Sequence, residues 1–240
     1  MYSKSLLTAI AAALLLSSCS IRAPWRNEPV GQEVNVSFVV RKNLIVLPST
    51  TMNGRSGEFL LSSSQPRTIV DPRFAQATGS TYALQLNEKE ALRFTPVVAD
   101  LHGVADAIIG GDVWGSHAIT IDYRAGLITF QREGIHPEEM TVYRYASEPS
   151  VNISVDGRTI AAIVDTTSPD TLTLPRGDAA AHTRRNARVE VGTTDFGTID
   201  VGLADVSQAR IGNRLLSKFL VTIDYGRREV GLWRDPRIPL

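Results

Sequence analysis

The stretch AAIVDTTSPDTLTLP, residues 161 to 175, ends an apolar run on one carboxylate, Asp165, and follows it with Thr166, Thr167 and Ser168. A carboxylate can exchange a proton with a reacting group, and small hydroxyls can hold it in place by hydrogen bonds. The same residues equally suit a turn, because an Asp after a strand satisfies nearby backbone N–H groups. Other candidate groups lack the spacing that their chemistry needs. His102, His117, His136 and His182 form neither a helix-face pair nor a Cys-His pair, so no metal is expected. GGDVWG at 110–115 lacks the Lys of a phosphate-binding loop. Ser62, in LSSSQP, has no assigned base and no Gly-x-Ser-x-Gly around it. Asp122 and Asp224 both stand in Thr-Ile-Asp-Tyr and read as turn starters rather than as an acid pair.

The elements that would position Asp165 are written twice. AIIGGDVWGSHAITIDYRAGLITF, from 107 to 130, aligns with ARIGNRLLSKFLVTIDYGRREVGLW, from 209 to 233. Ile109-Gly110 falls on Ile211-Gly212, and Asp122-Tyr123 falls on Asp224-Tyr225. With one residue of slip, GEFLLSSSQPRTIV falls on AAIVDTTSPDTLT, which sets Ser62 where Asp165 stands. From Ser62 to Ile109 is 47 residues, and from Asp165 to Ile211 is 46, so one architecture is used twice.

Two lobes follow, an N-terminal one over 31–133 and a C-terminal one over 149–236, joined by a charged linker at 134–148. Short alternating runs such as VNVSFVV, RVEVG and FLVTIDY, bounded by Gly, Asn and Asp, predict an all-β chain of two small barrels. Helical periodicity is confined to short pieces near 72–78, 112–117 and 214–219. Trp114 and Trp233 are expected in the core. The chain has 240 residues, 43% of them hydrophobic, which is enough for a real core in both lobes. Its 25 basic and 25 acidic residues cancel, so neither nucleic acid nor an acidic polymer is indicated as partner.

The N-terminus has one cation, Lys4, an apolar run from Leu6 to Leu16 and then small residues, the layout of a secretory signal over 1–18. Leu16-Ser17-Ser18-Cys19 resembles a bacterial lipobox. The resemblance implies that Cys19, the single cysteine, is lipidated and begins a tether over 19–30, with Trp25 in it. Ser20 after it implies the outer membrane, with the body facing the periplasm.

The order Asp165-Thr166-Thr167-Ser168, then Ile211-Gly212 with a short helix, then VTIDY and EVGLW, resembles the retropepsin-like aspartic proteases in their duplicated, pepsin-style form. That resemblance implies two retropepsin-like lobes in one chain, with a carboxylate from each meeting at the seam. The two would share one proton, one taking a proton from the attacking water and the other giving one to the peptide. Here the first half offers Ser62, a degenerate partner position. Thr167 and Ser64 stand where the family has Gly, and the segment between motif and Ile-Gly leaves little length for a covering hairpin.

Three functions follow from this pattern. The first is a catalytically silent, aspartic-protease-like envelope lipoprotein that binds a peptide or an envelope protein in the groove between its lobes. The second is a working aspartic endopeptidase using Asp165, either alone or through a homodimer that pairs two copies of it. The third is a structural envelope lipoprotein. No cofactor is expected in any of them.

Overall fold

A computed structural model describes residues 33–75, 80–115, 117–131, 134–136, 138, 140–177 and 183–237. The expected signal, the tether with Cys19 and Trp25, and His182 lie outside the described residues.

The chain is all-β, with two helices of four residues each, Gly111–Trp114 and Asn213–Leu216. Turn chemistry sets the hairpins. Asn53-Gly54 and Asp156-Gly157 both carry positive φ at each residue, the geometry that joins antiparallel strands tightly. Lys42-Asn43 does the same between Val39–Arg41 and Leu44–Val46.

A six-stranded sheet joins the lobes in the order Val34–Ser37, Leu127–Gln131, Ala118–Asp122, Leu220–Asp224, Glu229–Trp233, Thr141–Arg144. Its middle pair is the repeat meeting itself. Thr120 is the register partner of Thr222, and their hydroxyls lie 2.7 Å apart, so the approximate twofold axis passes between them. Thr141–Arg144 lies in the segment read as a linker. It adds the sixth strand because its position mirrors that of Val34–Ser37 at the opposite edge.

In the C-terminal lobe six strands close into a barrel, in sequence from Ser150–Val155 to Ala209–Ile211. The N-terminal lobe spreads its strands over a six-stranded and a four-stranded sheet. Alternation explains the cores: Val189 and Val191 are buried while Arg188 is exposed. Trp114 is fully buried and donates its indole N–H to the Ile109 carbonyl at 3.2 Å.

Two expectations are corrected. Trp233 is 39% exposed, because it ends its strand where the sheet meets solvent. Residues 72–74 form a turn rather than a helix, since Asp71 draws the N–H of Arg73 to its carboxylate and those of Phe74 and Ala75 to its carbonyl. Arg73 also holds the buried Asp71 carboxyl well below the usual carboxylate range.

Candidate functional site

Each lobe brings a strand to the seam and turns it there. Phe59–Leu61 ends at Ser62, and Arg158–Val164 ends at Asp165. The backbone N–H of Ser62 donates to Ile109, and that of Asp165 to Ile211, both at 2.9 Å. The Ile-Gly strands therefore lie beside the two turns in matching register.

The glycines of those pairs are required by space. A Cβ on Gly110 would lie 2.6 Å from the Arg67 carbonyl carbon and 2.9 Å from the Gln65 oxygen. On Gly212 it would overlap the Asp170 carbonyl oxygen and lie 2.7 Å from that of Ser168. Each loop is threaded closely by its own Ile-Gly strand, which leaves no room for a side chain.

One residue past Ser62 and Asp165 the lobes grip each other. Thr166 Oγ1 accepts from the Ser63 N–H at 2.9 Å and donates to the Leu61 carbonyl at 2.8 Å. Ser63 Oγ accepts from the Thr166 N–H at 3.1 Å and donates to the Val164 carbonyl at 2.5 Å. Beneath this lock, Asn213 Nδ2 donates to the Thr166 and Asn43 carbonyls, and its Oδ1 accepts from the Tyr123 hydroxyl at 2.7 Å. The mirrored Tyr225 hydroxyl reaches the Ser63 carbonyl at 3.4 Å. Burial pushes both phenols far above their ordinary pKa, so they remain hydrogen-bond donors at any physiological pH.

Asp165 is 5% exposed and fully engaged. Its Oδ1 accepts from the Thr167 N–H at 3.0 Å, the Thr167 hydroxyl at 2.6 Å and the Ser64 hydroxyl at 3.1 Å. Its Oδ2 takes the Arg210 guanidinium at 2.8 Å. Three of the four donors converge on Oδ1, and the fourth, a cation, holds Oδ2. The side chains of Thr167 and Ser64 supply two of the donors on Oδ1. Ser62 is fully buried, and its Oγ accepts from the Gln65 N–H at 3.0 Å.

Arg210 is the residue that sequence reasoning missed. The repeat carried its signal: Arg210 aligns with Ile108, so a cation replaces an apolar residue on a strand directed at the seam. Ser63 was visible in the same way, as the mirror of Thr166.

The other candidates stay apart from the seam. Asp122 accepts from the Arg124 and Ala125 N–H groups, and Asp224 from that of Arg227, so both start turns. His102 pairs with Asp100 and His136 with Glu138, while His117 is buried edge-on to Phe130. Among the described residues, no three His, Cys, Asp or Glu side chains are grouped to hold a metal. A cavity of about 480 Å³ lies by Thr141, Phe219 and Trp233, and one of about 270 Å³ by Ser64, Tyr145 and Tyr225. Asp165 lines neither of them.

No family model matches the chain, and no curated protein matches it. Among solved structures, the fold is similar to the aspartic proteinase from Irpex lacteus. The TM-score is 0.58 at 10% sequence identity, over 85% of this chain and 98% of that one. The architecture is aspartic-protease-like.

Proposed function

We propose that this chain is a bacterial envelope lipoprotein, anchored through Cys19, in which an aspartic-protease-like fold binds a peptide or protein partner between its lobes instead of cleaving it. The observation that carries this reading is the state of Asp165, whose second oxygen is paired with Arg210 at 2.8 Å. Peptide hydrolysis by this architecture needs two carboxylates that share a proton around one water. A guanidinium has no proton to share, since it stays protonated in proteins, and the Ser62 hydroxyl has no proton affinity near neutral pH. Three donors crowd Oδ1 and a guanidinium holds Oδ2, so a water beside Asp165 would meet a paired carboxylate rather than a free base. The chemistry is gone while the seam is kept, and a groove between two lobes remains a place to hold an extended chain. The Ser63–Thr166 lock weighs against a dimeric peptidase, because the N-terminal lobe already faces Asp165 where a second copy would have to dock.

The test is incubation of the purified protein with a diverse peptide mixture from about pH 3 to pH 8, which brackets carboxylate titration. Retained and free peptides are then read by mass spectrometry. We expect no cleavage, and retention of the same peptides by the wild type and by Asp165→Asn. Cleavage that disappears in Asp165→Ala would overturn the silent reading, and failure to retain any peptide would overturn the binding one.

A further inference from the structure

The cavity of about 270 Å³ lies between the turn at 63–66 and the turn carrying Tyr225 and Arg228. Its wall also includes Tyr145, Ser147 and Glu148, from the segment that enters the second lobe. Several of its polar groups are unspent. Among the described residues, the side chains of Gln65, Tyr145, Ser147 and Glu148 have no hydrogen-bond or ion-pair partner, and Arg228 is bonded only to the Ala146 carbonyl at 3.1 Å. Burial and the nearby Asp224 push the Tyr145 phenol up to about 12, so its hydroxyl is a donor at neutral pH. Arg228 and Glu148 line the same cleft without forming an ion pair with each other, so it presents one charge of each sign.

We infer that this cleft is a second binding site, separate from Asp165, for a small zwitterion that carries both a carboxylate and an ammonium group, as an α-amino acid does. Arg228 meets the carboxylate, with the Tyr145 hydroxyl as a further donor, and Glu148 meets the ammonium. Guanidinium is suited to this because its forked N–H groups match a carboxylate's two oxygens. A ligand with one charge alone leaves the opposite wall charge unmatched, so the cleft selects for both. Its volume is below the ~300–1,000 Å³ of sites for drug-sized ligands and fits one residue-sized molecule. The assignment does not depend on peptide binding at the seam.

The test is calorimetric titration of the full-length protein in detergent with a panel of free α-amino acids, their N-acetyl forms and their amides. At least one free amino acid should bind, with its N-acetyl and amide forms about tenfold or more weaker, as expected when a charge-assisted contact is lost. Arg228→Gln should erase the difference between acid and amide. Glu148→Gln should erase the difference between free and N-acetylated amine. Absence of binding across the panel, or equal affinity for the blocked forms, would each overturn the assignment.

Discussion

The turn at 62–64 and the turn at 165–167 are two copies of one backbone device with different side-chain chemistry. Both donate a backbone N–H at 2.9 Å to the Ile carbonyl of their own Ile-Gly strand, and both send a hydroxyl across the seam to the partner lobe. The first turn ends in a buried hydroxyl that accepts one local N–H. The second ends in a carboxylate with four donors, one from each of two hydroxyls, one from a backbone amide and one from Arg210. The difference separates two demands that an active site places on the same residues. Joining the lobes needs only small hydroxyl residues and glycine, and these are present in both halves. Hydrolysis by two acids needs a carboxylate from each half, and here one half presents a hydroxyl while the other pairs its carboxylate with a cation. A fold of this kind can hold its seam without its chemistry.

The largest effects should come where the two halves are most alike. Gly110→Ala and Gly212→Ala each place a methyl group against main-chain carbonyls that cannot rotate away. Each should cost about 3 kcal/mol or more, beyond ordinary overpacking of a core. Thermal unfolding of both variants would show a drop in Tm of similar size. A large loss at one glycine and a negligible loss at the other would break the equivalence of the two halves.

Next come the gripping hydroxyls. Ser63→Ala and Thr166→Ala each remove one donor and one acceptor from buried main-chain partners, Val164 and Thr166 in one case, Leu61 and Ser63 in the other. Leaving two such groups unpaired should cost about 2–3 kcal/mol in each variant. Because the two hydroxyls lie in one network, the double variant should cost clearly less or more than the sum, and a double-mutant cycle by urea denaturation measures that coupling. Simple additivity would mean that the lobes are held mainly elsewhere, by the central sheet.

Much of this was legible because the repeat preserved residue types. Thr-Ile-Asp-Tyr, Ile-Gly and the position of Ser62 pointed to the duplicated fold and to Ser62 as the counterpart of Asp165 without any coordinates. Asn-Gly and Asp-Gly marked tight hairpins through the positive φ that those residues accept. The Asp165–Arg210 pair was hidden for a geometric reason. Arg210 lies 45 residues beyond Asp165, and only the side-by-side pairing of their strands, with Ile163 opposite Arg210, brings the charges together. Asn213 and Asn43 are 170 residues apart, and no local pattern announces a side chain that caps a turn of the other lobe. Helical spacing misled over the described residues 72–75 because it registers periodicity and not Asp71, whose carboxylate takes the Arg73 N–H and whose carbonyl takes those of Phe74 and Ala75.

The smallest effect sharpens the comparison just after the Ile-Gly pairs, where Asp112 of the first half aligns with Arg214 of the second. Asp112 Oδ1 accepts the N–H and the hydroxyl of Thr68, at 2.8 and 2.7 Å, while its Oδ2 is buried with no partner. Burial raises the carboxyl pKa above its ordinary value, against the Thr68 bonds that lower it. The sign follows from linkage: a folded-state pKa above the unfolded one means that the folded protein binds the proton more tightly. The group therefore favours folding at pH values below its unfolded pKa. That contribution is lost as pH rises through the unfolded and then the folded value. Asp112→Asn keeps an oxygen to accept from Thr68 and removes the titration. Its stability relative to wild type should be lowest in acid and rise towards neutral pH, in paired urea titrations from about pH 3 to pH 7. A difference that stays flat across that range would mean that water reaches Oδ2, and that this position does not distinguish the two halves.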